Sequence, residues 1–494
     1  MRIPSARTVL RYGLAALGLG CFGIVLVVGF TALWTPGRSF DGVGGMVLGL
    51  VVPLALGGLL VGSSRWSLSR QVTLGATFCS AILVLFGFEL YLARDLTDRG
   101  EGVETRNPAI LEISARSGNR FDTRTHAEVV MALRTRGAPA VLNYRPKHLL
   151  REEPDGTLRS VIRLDGVEIL PLGGIPDSVT VWCNETGTYT VYKSDAHGFL
   201  NPPHVWRTRT TQIGVVGNSF AMGACVPIGR SFVDHIRNVH PATLNLAMGH
   251  DGPLLQLATL KEYLSRARPR IVLWVYEEEH DLPFLHKEKR SPLLMRYLES
   301  SWRQNLMSRQ PEIAKAVREE GERELRLQLH KLQHTDAGDR FRHLKDTVKL
   351  RRVRLSLDLQ VWKGREVVTV ETADLELLRR ILRDASEATT RWGGSLVFVY
   401  LPERTRYAGD PSPSGKARDL VLDLVARLKL PVVDAHAVFE AHRDPLSLFP
   451  FRQFAHYTEE GQALVARQIL RCLERRDFVR GSTICPTSTA AAMR

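Results

Sequence analysis

Cysteine is scarce in this chain, and its placement argues against a zinc site. Six cysteines are spread over 494 residues. Cys21 and Cys79 fall inside apolar segments, while Cys183, Cys225, Cys472 and Cys485 follow no zinc-ligand spacing. The run Glu277-Glu278-Glu279-His280-Asp281 is rich in ligand-type side chains, but five consecutive residues diverge on any regular backbone. No metal and no cofactor are expected. No repeat recurs at a fixed period, which excludes solenoid and propeller architectures. No nucleic-acid recognition motif accompanies the formal charge of +14, so nucleic acid is not expected as a partner.

Charge itself is missing from three long stretches, 12–34, 43–61 and 72–92, until Glu89 near the end of the third. Each approaches the ~20 apolar residues that cross a bilayer core. The first is too long for a cleaved signal peptide and is followed closely by two more, so 1–92 is expected to be a three-span membrane anchor. Arg2, Arg7 and Arg11 precede the first span, and Arg65 and Arg70 lie between the second and third. The positive-inside rule then places the N-terminus in the cytoplasm and everything after 92 on the extracytoplasmic side. Disulfides are permitted there, and Cys472 with Cys485 is the first pairing to expect.

After a polar linker, 93–107, the expected organisation is a strand-rich lead-in subdomain over 108–206, an α/β domain over 207–480 and a disordered tail, 481–494. Short apolar strands at 213–216, 243–246, 271–276, 396–400 and 432–434 alternate with helical stretches. That rhythm predicts a mainly parallel sheet with helices on both faces, a three-layer α/β/α fold of flavodoxin-like type. A helical insertion at about 286–365 carries 20 Lys/Arg against 11 Asp/Glu. It is either a solvated helical face or a surface for anionic lipid or anionic polysaccharide.

Functional groups of such a sheet gather beyond the carboxyl ends of its strands. The run IGVVGNSFAMG puts Ser219 at one of those ends. It is not a G-x-S-x-G elbow, because Ala221 stands two residues after the serine. Asn218 or Ser219 as an ordinary helix cap explains it equally well in isolation. Three further groups follow other strands or precede a helix: Asn245 and Gly249, His280 with Asp281, and His456 in QFAHYTEEGQALVA.

In this order the blocks resemble the SGNH/GDSL family of serine esterases and acyltransferases, specifically its membrane-anchored bacterial members. The resemblance implies that Ser219 is the nucleophile and His456 its general base. It implies an oxyanion hole built from the Ser219 and Gly249 N–H groups and the side chain at 280. Three positions depart from the family pattern: Asn218 takes the place of an aspartate before the serine, His280 replaces an asparagine, and Gln453 stands where the aspartate that orients the histidine is expected. Either the site is a Ser-His dyad or another carboxylate serves, with Asp434 and Asp444 as candidates. The stretch SDAHGFLNPP resembles a turn that packs near the site in exported members, or is a simple Gly-Pro turn.

The expected activity is therefore hydrolysis or transfer of acyl groups, acetyl above all, on cell-surface or exported polysaccharide. Other polysaccharide-assembly proteins are the partners this implies. A catalytically impaired glycan-binding or scaffold component of such a complex is the competing expectation, favoured by Gln453 and His280. A lipid esterase exploiting membrane proximity is a third.

Overall fold

The computed structural model describes residues 6–34, 39–40, 47–98, 121–333, 362–363, 371–408, 414–475, 478–480 and 484–485. The chain forms two compact units, one of 1–104 with 331–367 and one of 105–330 with 368–494.

The first unit contains the helices Ala6–Trp34, Val52–Ser63 and Leu68–Asp98. Glycines let the first two approach: a Cβ on Gly18 would lie 2.9 Å from the Gly57 carbonyl, and one on Gly57 3.1 Å from that of Gly18. Leu26, Leu83 and Val84 are 74%, 72% and 70% exposed, so the apolar surface of these helices faces outward rather than into a core. Among the described residues one helix, Leu68–Phe88, is long and apolar enough to cross a membrane; Arg11–Leu26 and Val52–Ser63 are shorter apolar helices. The third helix runs on to Asp98, into the expected linker, and 99–107 lie outside the described residues. Ser39–Phe40, after the first apolar helix, pairs antiparallel with Trp362–Lys363.

The second unit is built on a five-stranded parallel sheet: β1 (Ile213–Val216), β2 (Thr243–Asn245), β3 (Ile271–Glu277), β4 (Ser395–Leu401) and β5 (Val432–Asp434). The spatial order is β2-β1-β3-β4-β5, with every neighbour parallel. This order reverses between β1 and β3, and a crevice is expected at that point. β3 and β4 are buried along nearly their whole length, which is why they read as unbroken apolar runs. Helices Pro253–Thr259, Thr372–Arg391 and Glu459–Leu473 pack around the sheet.

The lead-in belongs to this unit rather than standing apart. A capping box of Thr125 and Glu128 starts helix His126–Thr135. Ala140–Leu142 pairs parallel with Val179–Val181, which pairs antiparallel with Val191–Lys193. The SDAHGFLNPP stretch is a turn organised by Asp195, whose carboxylate accepts from His197 N–H, Phe199 N–H, Asn201 Nδ2 and Trp206 Nε1 at 2.7–2.9 Å. Asn201 then bonds both the N–H and the carbonyl of Asn245 at the end of β2.

Two expected boundaries change. The basic insertion is not one body: up to residue 330 it belongs to the sheet unit, where helix Gln310–Gln333 pairs Glu322 with Arg134, and 331–367 belong to the first unit. The tail is not wholly loose, because Cys485 is bonded to Cys472 and donates its N–H to Val432 at 2.9 Å; 486–494 lie outside the described residues.

Candidate active site

β1 ends at Val216, and Gly217 turns the chain where a side chain has no room. A Cβ there would meet Ala221 Cβ at 2.7 Å and both Cβ and the carbonyl oxygen of Val275 at 3.0 Å. Asn218 caps the short helix Ser219–Met222 by accepting from Phe220 N–H at 3.0 Å. The cap is thus Asn218, and the Ser219 hydroxyl is left for another partner. Asn218 Nδ2 also donates to Asp281 at 3.1 Å, and the buried Asp281 accepts further from Glu277 N–H and Gln256 Nε2. An aspartate at 218 would set two carboxylates face to face here, so asparagine at this position fits its neighbour.

His456 lies just before helix Glu459–Leu473, which is tied to helix Phe232–Val239 by a bond from Phe232 N–H to Gln462 at 2.9 Å. Thr458 caps helix Glu459–Leu473, and Tyr457 is fixed by a 2.7 Å bond from its hydroxyl to the Pro402 carbonyl. Between them these contacts set the histidine's backbone. Its Nε2 lies 2.8 Å from Ser219 Oγ.

Behind the imidazole stands a residue that sequence reasoning missed. Glu185 Oε1 lies 2.8 Å from His456 Nδ1, and Glu185 Oε2 accepts from the His456 backbone N–H at 3.3 Å. Neither Gln453 nor Asp434 takes that place. Phe451 and Arg452 adopt left-handed backbone conformations (φ 50° and 61°), a turn after which Gln453 is exposed. Asp434 is paired with Arg418 and caps His436, and Asp444 is paired with Arg452.

Glu185 is brought to the site by covalent and polar ties. Cys183 is bonded to Cys225, which lies six residues after Ser219, and Cys225 Sγ stands 3.7 Å from His456 Nδ1. Asn184 Nδ2 donates to the Asp122 carbonyl at 2.6 Å, and Asp122 N–H donates to Gly187 at 2.7 Å. Cysteine pairing was the usable signal: with Cys472 joined to Cys485, the soluble part leaves only Cys183 and Cys225, and their union carries Glu185 to Ser219.

Chemically this arrangement has the contacts a serine relay requires. Nδ1–H donation to Glu185 leaves the Nε2 lone pair for the Ser219 hydroxyl proton, and the carboxylate stabilises the imidazolium that results. Among the described residues, the N–H groups of Ser219 and Gly249 donate to no protein acceptor, so both are available to a developing oxyanion. Gly249 lies beside the nucleophile turn because Met248 N–H donates to the Gly217 carbonyl at 3.2 Å. His280 flanks the site across Phe220, whose ring centroid is 6.2 Å from that of His280 and 4.8 Å from that of His456. Burial works against charge on His280, but Glu277 at 2.7 Å, with Glu279 and Asp281, outweighs it and raises the imidazole to about 9. His280 is therefore a cation at neutral pH, a donor of a different kind from the amide expected there.

The other ligand-type cluster, His286 with Glu371 and Asp374, is occupied by Lys289, whose Nζ lies 3.0 Å and 2.8 Å from the two carboxylates.

No protein-family model matches the chain, and no curated protein does. Solved structures do match. They include a lipolytic protein of the G-D-S-L family from Desulfitobacterium hafniense DCB-2 (11% identity, TM-score 0.29, 53% of this chain and 99% of that one). A lipase/acylhydrolase from Enterococcus faecalis matches at 12% identity and TM-score 0.29, over 53% of this chain and 94% of its own. The psychrotrophic esterase EstA from Pseudoalteromonas sp. matches at 8% identity and TM-score 0.26, over 53% and 97%. A protein from Veillonella parvula DSM 2008, also described as a member of the lipolytic G-D-S-L family, matches at 13% identity and TM-score 0.29 over 53% of this chain and 98% of its own.

Proposed function

We propose that this protein is a serine esterase or O-acyltransferase working through a Ser219 acyl-enzyme. His456 acts as base in acylation and as acid toward the leaving alcohol, and Glu185 orients it. Ser219 N–H, Gly249 N–H and the His280 cation receive the oxyanion. The observation that carries this reading is the line of contacts Glu185–His456–Ser219, 2.8 Å at each step. Water or a sugar hydroxyl resolves the acyl-enzyme, so hydrolysis and transfer are two fates of one intermediate. The substrate class is an acylated cell-surface or exported polysaccharide.

The protein works from a bacterial inner membrane, held by three spans, with the N-terminus cytoplasmic and the sheet unit outside. The outward-facing apolar helices support attachment, and two disulfides suit an oxidising compartment. The pairing of 39–40 with 362–363 supports a common side for the first loop and the insertion.

A serine-directed fluorophosphonate is the direct test. Wild type should be labelled and should cleave acetyl esters, and Ser219→Ala should do neither. An unlabelled, inactive wild type would return the protein to the reading of a glycan-binding scaffold. That reading has lost its strongest support, since the place left open by Gln453 is filled by Glu185. Acetate released against acetylated sugar formed, measured with a sugar acceptor present, separates hydrolase from transferase.

A further inference from the structure

Gly249 is a glycine for a reason other than backbone freedom, since its φ is not in the left-handed region. A Cβ there would lie 2.5 Å from Arg145 Nη1 and 3.1 Å from Arg145 Cδ. The space beside the candidate oxyanion donor is therefore filled by a guanidinium from the lead-in.

The guanidinium makes no salt bridge to any described residue. Among the described residues no carboxylate lies within 4.0 Å of it, its Nε is buried without a hydrogen-bond partner, and its one side-chain bond is from Nη1 to His250 Nδ1 at 2.8 Å. His250 accepts that bond as a neutral ring: burial and then the Arg145 charge hold it down to about 2. His250 is itself kept in a left-handed backbone conformation (φ 69°), a local strain of the sort that gathers at functional sites. Asp251 attracts the Arg145 charge through space but makes no hydrogen bond to it, since both its carboxylate oxygens are buried without a partner. Rings connect the arginine to the relay: His250 stacks on Phe284 at 5.4 Å, Phe284 meets His280 at 5.3 Å, and His280 faces Phe220 and through it His456.

A positive group withdrawn from water without a partner is costly, and a bound anion beside it removes that cost. A planar guanidinium suits a carboxylate in particular, through paired N–H donors. We infer that Arg145 forms an anion subsite next to the oxyanion hole and selects ester substrates that carry a carboxylate close to the reacting carbonyl. The inference rests on the proposed acyl-ester chemistry of Ser219 and specifies its substrate. The carboxylate can belong to the alcohol, as in an acetylated hexuronate, or to the acyl group, as in a hemisuccinate.

Two matched pairs of esters test this on the full chain. One pair is mono-O-acetylated methyl glucuronide against the same ester of methyl glucoside; the other is p-nitrophenyl hemisuccinate against p-nitrophenyl valerate. In wild type, kcat/KM should favour the anionic member of one pair by at least about tenfold, the worth of one charge-assisted hydrogen bond. That ratio should shrink as salt is raised, fall toward one in Arg145→Gln and be partly kept in Arg145→Lys. The responding pair identifies which side of the ester bears the carboxylate. A wild-type ratio near one in both pairs overturns the inference whatever the variants do. So does an Arg145→Gln that is labelled by fluorophosphonate yet slows both members equally, since Arg145 is then a structural residue. If wild type neither labels nor cleaves, the esterase reading fails separately. Calorimetric binding of methyl glucuronide, lost in Arg145→Gln, then upholds the subsite, and no binding by wild type removes it.

Discussion

The candidate relay draws its parts from two regions built by different rules. Ser219 sits at the end of a parallel strand and His456 before a capped helix, positions that the sheet topology makes functional. Glu185 and Arg145 come from the lead-in, where strands are two or three residues long and most of the chain lies outside helices and strands. There the geometry is set by a disulfide, by the Asn184–Asp122 bond and by a capping box, not by a repeating pattern. In the proposed site the sheet supplies the reacting groups, and the irregular region supplies the charged side chains beside them.

The largest test of this division lies on the sheet side. Ser219→Ala or His456→Ala should lower kcat by roughly 10⁴- to 10⁶-fold, read by acetate release and loss of fluorophosphonate labelling. On the lead-in side, Glu185→Gln should cost about 10²- to 10⁴-fold in kcat with KM little changed, because an amide no longer stabilises the imidazolium. An effect below twofold would make the site a dyad and reduce the lead-in to scaffolding. Opening Cys183–Cys225, by reductant or by a Cys183→Ser/Cys225→Ser double variant, should cost about 10²-fold through misplacement of Glu185. The same treatment should add little to Glu185→Gln. Equal losses in both backgrounds would show that the bond acts on something other than the carboxylate.

Smaller effects concern stability. Gly217→Ala pushes a methyl against the Val275 backbone and should lower stability by about 1–3 kcal/mol, seen as a fall in Tm. The His280–Glu277 pair should show in the pH dependence. The folded-state value, raised to about 9, means that its contribution is complete below the ordinary histidine value and is lost as pH rises through 9. Tm should decline over that interval in wild type and less steeply in His280→Asn.

What could be read from the sequence follows the same division. The strands of the sheet, the capped helix after His456 and the glycine-flanked Ser219 are local patterns, so their order was enough to align them. Glu185 lies 271 residues from the histidine it serves, and no periodicity links them. Gln453 was legible as a missing acid but not as an exposed residue, since that depends on two left-handed residues before it. Arg145 was invisible for a related reason. Its importance is the absence of a partner, and absence appears only once the neighbours are in place.

The Cys183–Cys225 bond also has a meaning in time. Residue 183 is synthesised before the nucleophile and residue 225 after it, so the bond closes only once both sides of the site exist. Where thiols stay reduced, nothing covalent holds the segment that carries Glu185 beside Ser219.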